Sequence, residues 1–197
     1  DYRLAPEHPY PAALEDAIKA FDYLIGEGYG AEDIVLCGDS AGGGLSLSLI
    51  MALRDQGRAL PAAAAVLSPW TDLTESLDSH YSNTGIDPLI SSENLREMAL
   101  LYAGGKDLKT PYISPLYGNF TGFPPVLIHV GSAEVLLDDS CELALRMEAQ
   151  GVPVDIDIYE GMWHVWHMFD VEEARTAIRK IQWFFHTQLE IGGLKKR

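Results

Sequence analysis

Apolar residues recur along the chain at two spacings, one typical of strands and one typical of helices. Short apolar runs bounded by turn residues predict four strands. Longer segments with apolar residues every three or four positions predict the helices between them. The strands are expected over 33–38, 62–67, 126–130 and 154–159, and the helices over about 11–26, 41–57, 91–103, 139–150 and 171–189.

This alternation predicts the fold class and the domain organisation. Strands separated by helices form a mostly parallel sheet with helices on both faces, so we expect an α/β fold. The length of 197 residues suits one domain. Residues 72–118 break the alternation with turn-rich sequence around one helix, which predicts an insertion in that domain. The basic residues 195–197 are expected to form a solvated tail.

Composition narrows the range of partners. The formal net charge is −15, which argues against nucleic acid and anionic membrane surfaces, because both bind basic patches. No apolar run has the length of a membrane span, and we expect a cytoplasmic location. Cys37 and Cys141 lack the spacing of a metal site, so we expect two free, buried thiols and no metal or cofactor.

The residues after the first predicted strand carry the strongest chemical signal. Gly38, Asp39, Ser40, Ala41 and Gly42 complete the pattern G-x-S-x-G between a strand and a helix, which is the context of a nucleophile elbow. Such a turn needs small residues on either side of the serine, and it exposes the serine hydroxyl. The Ala41 amide would then stabilise an oxyanion. The alternative interpretation is a glycine-rich turn that cradles a phosphate.

A serine nucleophile needs a general base, and the sequence has six histidines. Groups of this kind collect after the carboxyl ends of parallel strands. His164 follows the last predicted strand most closely and is the favoured base, while His167 is expected in a structural role. The other four are expected to be packed or surface residues: His8, His80, His129 and His186.

A carboxylate must orient the base, and Glu134 is favoured because it follows the third predicted strand by a short turn. Asp138 and Asp139 come slightly later, and one of them is expected to cap the next helix. Asp72, after the second strand, remains a further candidate. Asp87 lies in the insertion without a preceding strand, so we reject it.

With these residues in place, the chain resembles the hormone-sensitive-lipase-like carboxylesterases of the α/β-hydrolase fold. The matching residues of the catalytic segments are Ser40 and His164. The family usually has Asp followed by Pro-Leu where this chain has Glu134 followed by Val135 and Leu136. The resemblance extends over the segments 1–9, 38–43, 112–116, 123–125 and 131–138.

One family motif, His-Gly-Gly-Gly, supplies further oxyanion donors and has no counterpart here. We therefore expect this chain to be the C-terminal part of a longer domain that lacks its N-terminal strands. Loss of one oxyanion donor costs about 10²–10³ in rate, so these residues alone are expected to be weakly active or inactive. The strand 33–38 would have a bare edge, which predicts pairing with another chain, such as a second copy.

The predicted function is hydrolysis of short-chain carboxylic esters by Ser40, His164 and Glu134 through an acyl-enzyme. No cofactor is required. Two alternatives remain: a non-catalytic ligand-binding protein on the same fold, and an amidase or peptidase. The acyl preference, the natural substrate and the oligomeric state do not follow from the sequence.

Overall fold

A computed structural model describes residues 1–194, and the predicted tail 195–197 lies outside them. The strands are β1 (Val35–Asp39), β2 (Ala63–Leu67), β3 (Val126–Gly131) and β4 (Val154–Tyr159). The helices are α1 (Ala12–Gly26), α2 (Ala41–Asp55), α3 (Ser79–Ser82), α4 (Ser92–Ala103), α5 (Leu137–Ala149) and α6 (Glu172–Leu194). Short 3₁₀ helices cover Ala31–Asp33, Pro115–Tyr117 and Trp166–Met168.

The four strands form one parallel sheet in the order β1-β2-β3-β4. In its register, Gly38 lies beside Val66, and Ile128 lies beside Ile156. Because all four strands run the same way, the loops that follow them open at one edge of the sheet. The predicted α/β fold is confirmed.

Helices cover both faces of the sheet. On one face, α2 and α5 pack against β2 and β3, and α1 packs against α2 at the side of β1. On the other face, Ile181 and Phe184 of α6 lie on small side chains of β2, Ala63 and Ala65. Burial on both faces explains why β2 is a run of alanine, valine and leucine without polar alternation.

The segment 72–118 contains α3, α4 and the 3₁₀ helix Pro115–Tyr117. Helix α4 begins as the sequence indicates, with the Ser91 hydroxyl accepting a hydrogen bond from the Asn94 amide. Its buried face, which includes Leu95 and Ala99, packs against Trp70 and Leu73 after β2. The segment therefore lies over the loops at the carboxyl edge of the sheet.

Two local expectations are wrong. Neither Asp138 nor Asp139 caps α5, because that helix begins at Leu137 and both carboxylates lie in its first turn. Cys37 is an exposed free thiol and Cys141 a half-buried one, so neither is the buried thiol that was expected. Within residues 1–194, β1 lies at one end of the sheet order and is more exposed than β2 and β3.

Candidate active site

Ser40 stands at the turn between β1 and α2, with φ 52° and ψ −122°. A non-glycine residue rarely adopts a positive φ, so the surrounding structure must hold this conformation. The Ser40 amide donates to the Leu67 carbonyl at 2.8 Å. The Ser40 carbonyl accepts hydrogen bonds from the amides of Gly43, Gly44 and Trp70. These hydrogen bonds hold the turn to the end of β2, to the first turn of α2 and to the loop after β2.

The glycines of this turn allow close approach of backbones. A Cβ on Gly38 would overlap the carbonyl of Gly42, and one on Gly44 would overlap the carbonyl of Trp70. At Gly42, in contrast, an added Cβ would meet no heavy atom of the described residues within 4 Å. The predicted steric requirement therefore applies to Gly38 and to Gly44, which the motif does not include.

His164 lies in the loop after β4 and is 5% exposed. Its Nε2 is 2.9 Å from Ser40 Oγ, and its Nδ1 is 3.2 Å from Glu134 Oε2. With the proton on Nδ1, the ring donates to the carboxylate and accepts from the serine hydroxyl. This is the arrangement that activates a serine.

Glu134 lies in the turn between β3 and α5 and is fully buried. Its Oε1 accepts two hydrogen bonds, from the Gly131 amide at 2.5 Å and from the Ser68 hydroxyl at 2.7 Å. Burial raises the pKa of Glu134, while the hydrogen bonds from His164, Gly131 and Ser68 oppose that rise. Both carboxylate oxygens are thus held by donors.

The other acidic candidates bind elsewhere. Asp72 accepts from the amides and hydroxyls two and four residues further along its own turn. Asp87 accepts from the amides two and three residues on. Asp138 accepts from the first amide of α3, and Asp139 bonds to a buried histidine. Of the weighed candidates, the structure brings Glu134 to His164.

Asp139 lies at the centre of a second buried cluster. Its Oδ2 is 2.5 Å from His80 Nε2, and its Oδ1 accepts the amides of Thr71 and Asp72, each at 2.8 Å. Burial opposes a charge on the imidazole, but the carboxylate outweighs burial, so the pKa of His80 is raised. The cluster ties α3 and α5 to the loop after β2.

His167 lies beside His129 rather than at the serine. The two rings stack, with centroids 5.5 Å apart and planes inclined by 8°. Burial lowers the pKa of His129 to about 4, partly offset by Asp157, and burial together with His129 lowers the pKa of His167 to about 3. Both imidazoles are therefore neutral near pH 7, and the structural role expected for His167 stays a prediction.

A cavity of about 280 Å³ opens beside the amide end of α2. Ala41, Leu45, Trp70, Leu101 and Tyr102 are among the residues that line it. Most of these side chains are apolar, and two of them belong to α4. The cavity has room for a small apolar group beside Ala41, the residue that follows Ser40.

Ser68 is not among the site residues predicted from the sequence, although it directly follows the second predicted strand. Its position at the carboxyl end of a central strand was the available signal. The structure places it between Glu134 and the loop that carries His164.

None of the helices formed by residues 1–194 has the length and apolar character of a membrane span.

Comparison with known proteins gives one family. Residues 1–168 match the family described as "alpha/beta hydrolase fold". The chain is 43% identical over 188 residues to an acetyl-hydrolase of Streptomyces hygroscopicus, covering 94% of this chain and 63% of that protein.

Two solved structures are also similar. An esterase of the bacterial hormone-sensitive lipase family has 43% identity and a TM-score of 0.94, over 96% of this chain and 64% of that one. The esterase EstE5, soaked with p-nitrophenyl butyrate, has 44% identity and a TM-score of 0.93, over 96% and 65%. The chain thus spans about two thirds of the length of these relatives.

The fold of the chain, the family match over residues 1–168 and the similarity to solved esterases all indicate the same family. The chain belongs to the α/β-hydrolase fold family, and within it resembles the esterases of the hormone-sensitive-lipase group.

Proposed function

We propose that the protein is a serine carboxylesterase that hydrolyses short-chain esters. The observation that carries this proposal is the unbroken line of hydrogen bonds from Ser40 Oγ through both nitrogens of His164 to Glu134. A merely packed histidine would not need a buried carboxylate on one nitrogen and a strained, partly exposed serine on the other.

In the first half of the reaction, Ser40 Oγ attacks the ester carbonyl carbon while His164 Nε2 takes the hydroxyl proton. Glu134 keeps the other ring proton on Nδ1 and stabilises the imidazolium. The tetrahedral intermediate collapses when the imidazolium protonates the leaving alcohol. Water then attacks the acyl-enzyme with His164 again as base, which releases the acid and restores the serine.

The amide of Ala41, at the start of α2, is the proposed donor to the oxyanion, aided by the positive end of the helix dipole. The cavity beside it is proposed to hold the acyl group or the alcohol group. Its volume of about 280 Å³ suits small groups. Residues 72–118, which contribute α4 to its wall, are proposed to be an insertion that covers the pocket.

The similar proteins support short acyl chains. One is named an acetyl-hydrolase, and another was soaked with p-nitrophenyl butyrate. We therefore expect turnover of p-nitrophenyl acetate and butyrate to exceed turnover of the corresponding long-chain esters.

Labelling by a fluorophosphonate tests the nucleophile, because this probe reacts only with an activated serine and detects even a slow enzyme. The wild-type protein should be labelled at Ser40, and Ser40→Ala should lose both labelling and ester hydrolysis. Ser82→Ala, which removes an exposed hydroxyl on α3 from a residue outside the cavity lining, serves as the control. Equal labelling of wild type and Ser40→Ala would refute the proposal, and specific ligand binding without labelling would favour a non-catalytic protein.

A further inference from the structure

Ser68 follows β2 and is fully buried, with φ 47°. A non-glycine residue in this left-handed region is strained unless its side chain gains something from the position. Glycine would adopt the same backbone conformation without the cost. The hydroxyl is therefore the feature that needs an explanation.

The hydroxyl makes two hydrogen bonds to parts of the chain that are distant in sequence. It donates to Glu134 Oε1 at 2.7 Å, and it accepts from the Val165 amide at 3.1 Å. Glu134 is the proposed acid, and Val165 directly follows the proposed base, His164. A single oxygen on β2's loop thus bridges the loop after β3 and the loop after β4.

This bridge determines which way the carboxylate faces. Oε1 is held by the hydroxyl of Ser68 and the amide of Gly131, so Oε2 is the oxygen left for His164 Nδ1. Val165 adopts a left-handed conformation, with φ 49° and ψ 41°, and its amide is held by the same hydroxyl. Through Ser68, the turn at Val165 that positions the imidazole of His164 is therefore hydrogen-bonded to the Glu134 carboxylate that orients the ring.

We propose that Ser68 is a positioning residue, which ties the acid to the histidine loop and keeps both in register with Ser40. The inference rests on the proposed function, because it concerns the same three side chains. The hydrogen bonds of the Ser68 hydroxyl go to Glu134 and to the residue after His164, so its effect on Ser40 passes through these two side chains.

Two variants separate the hydroxyl from the backbone strain. Ser68→Ala removes the hydroxyl and keeps the strain, whereas Ser68→Gly removes the hydroxyl and relieves it. Ser114→Ala is the matched control, because Ser114 is also fully buried and also accepts a backbone amide, that of Leu73, at 3.0 Å. Folding of each variant is checked by circular dichroism and thermal melting.

The rates to measure are fluorophosphonate labelling and p-nitrophenyl acetate hydrolysis, each as a function of pH. Both Ser68 variants should lose about 10- to 100-fold in kcat with KM nearly unchanged, the range expected for a buried hydrogen bond to a charged group. The acid limb of the profile should move to higher pH. A carboxylate that has lost a donor is a stronger base, so its pair with the imidazole keeps a proton to higher pH.

Ser114→Ala should lower the melting temperature without shifting the acid limb of the pH profile. The inference is wrong if Ser68→Gly keeps the wild-type rate and profile, since strain alone would then explain Ser68→Ala. It is also wrong if all three variants lose rate equally with an unmoved acid limb. Ser40→Ala is measured beside them: full activity in that variant overturns the proposed function, whereas its inactivity together with unaffected Ser68 variants overturns only the role of Ser68.

Discussion

Replacing Glu134 with glutamine exchanges one carboxylate oxygen for an NH₂ group and should reverse the tautomer of His164. The Gly131 amide is a fixed donor to the Oε1 position, so the side-chain amide must place its oxygen there and its NH₂ group at the Oε2 position. That NH₂ group would donate to His164 Nδ1. The ring proton would then sit on Nε2, facing Ser40 Oγ.

A ring with its proton on Nε2 cannot take the proton of the serine hydroxyl. The geometry of the site is otherwise kept, because glutamine has the shape of glutamate. The comparable change in another serine hydrolase lowers kcat by about 10⁴, and we expect a loss of that order here. This corresponds to about 5 kcal/mol of transition-state stabilisation.

The measurement is kcat for p-nitrophenyl acetate together with the rate of fluorophosphonate labelling. Asp138→Asn and Asp72→Asn are the controls, since they make the same chemical change at the other acids considered. Both controls should retain activity within a few fold. Thermal melting confirms that each variant is folded.

The reasoning fails if Glu134→Gln remains within tenfold of wild type while either control variant loses most activity. In that case another carboxylate orients His164. A loss in all three variants with unfolded circular dichroism spectra would point to stability rather than to the tautomer.

The remaining predictions concern the turn and the buried clusters. Gly38→Ala should abolish soluble expression or activity because its Cβ overlaps the Gly42 carbonyl, whereas Gly42→Ala should be tolerated; equal effects in an expression and labelling assay would contradict this. His129 has a folded pKa of about 4, below the unfolded value, so the unfolded state binds its proton first and stability falls as pH drops from about 6.5 to about 4. The loss from this group is up to about 3 kcal/mol, and urea unfolding at pH 7 and 4.5 should show a smaller difference for His129→Gln than for wild type. Asp139→Asn weakens the buried hydrogen bonds to His80 and to the amides of Thr71 and Asp72 and should cost about 1–3 kcal/mol of stability, seen as a lower melting temperature with the acid limb of labelling unmoved.

Much of the fold follows from local patterns. The apolar runs predict all four strands to within two residues at each end, because burial on one or both faces of a sheet imposes its own residue pattern. The helix ends are less regular. Helix α5 begins two residues before its expected start, because the chain turns into the helix without a side-chain cap.

The candidate site could be located because parallel strands all deliver their loops to one edge of the sheet. Together with the G-x-S-x-G pattern, that rule favours Ser40, His164 and Glu134 from sequence while Asp72 stays open as an acid, and the structure brings the three favoured residues within hydrogen-bonding distance. Their catalytic roles stay predictions until the variants above are measured.

The sequence alone therefore determined the order of the strands and helices and which residues follow each strand, since both depend on spacing along the chain. Only the tertiary structure decided which oxygen of Glu134 faces His164, that Ser68 bridges two loops, and that Asp139 pairs with His80 rather than capping a helix. These contacts join residues roughly 30 to 100 positions apart. Their geometry depends on how whole elements pack, and no local pattern of apolar and polar residues encodes a distance between two loops.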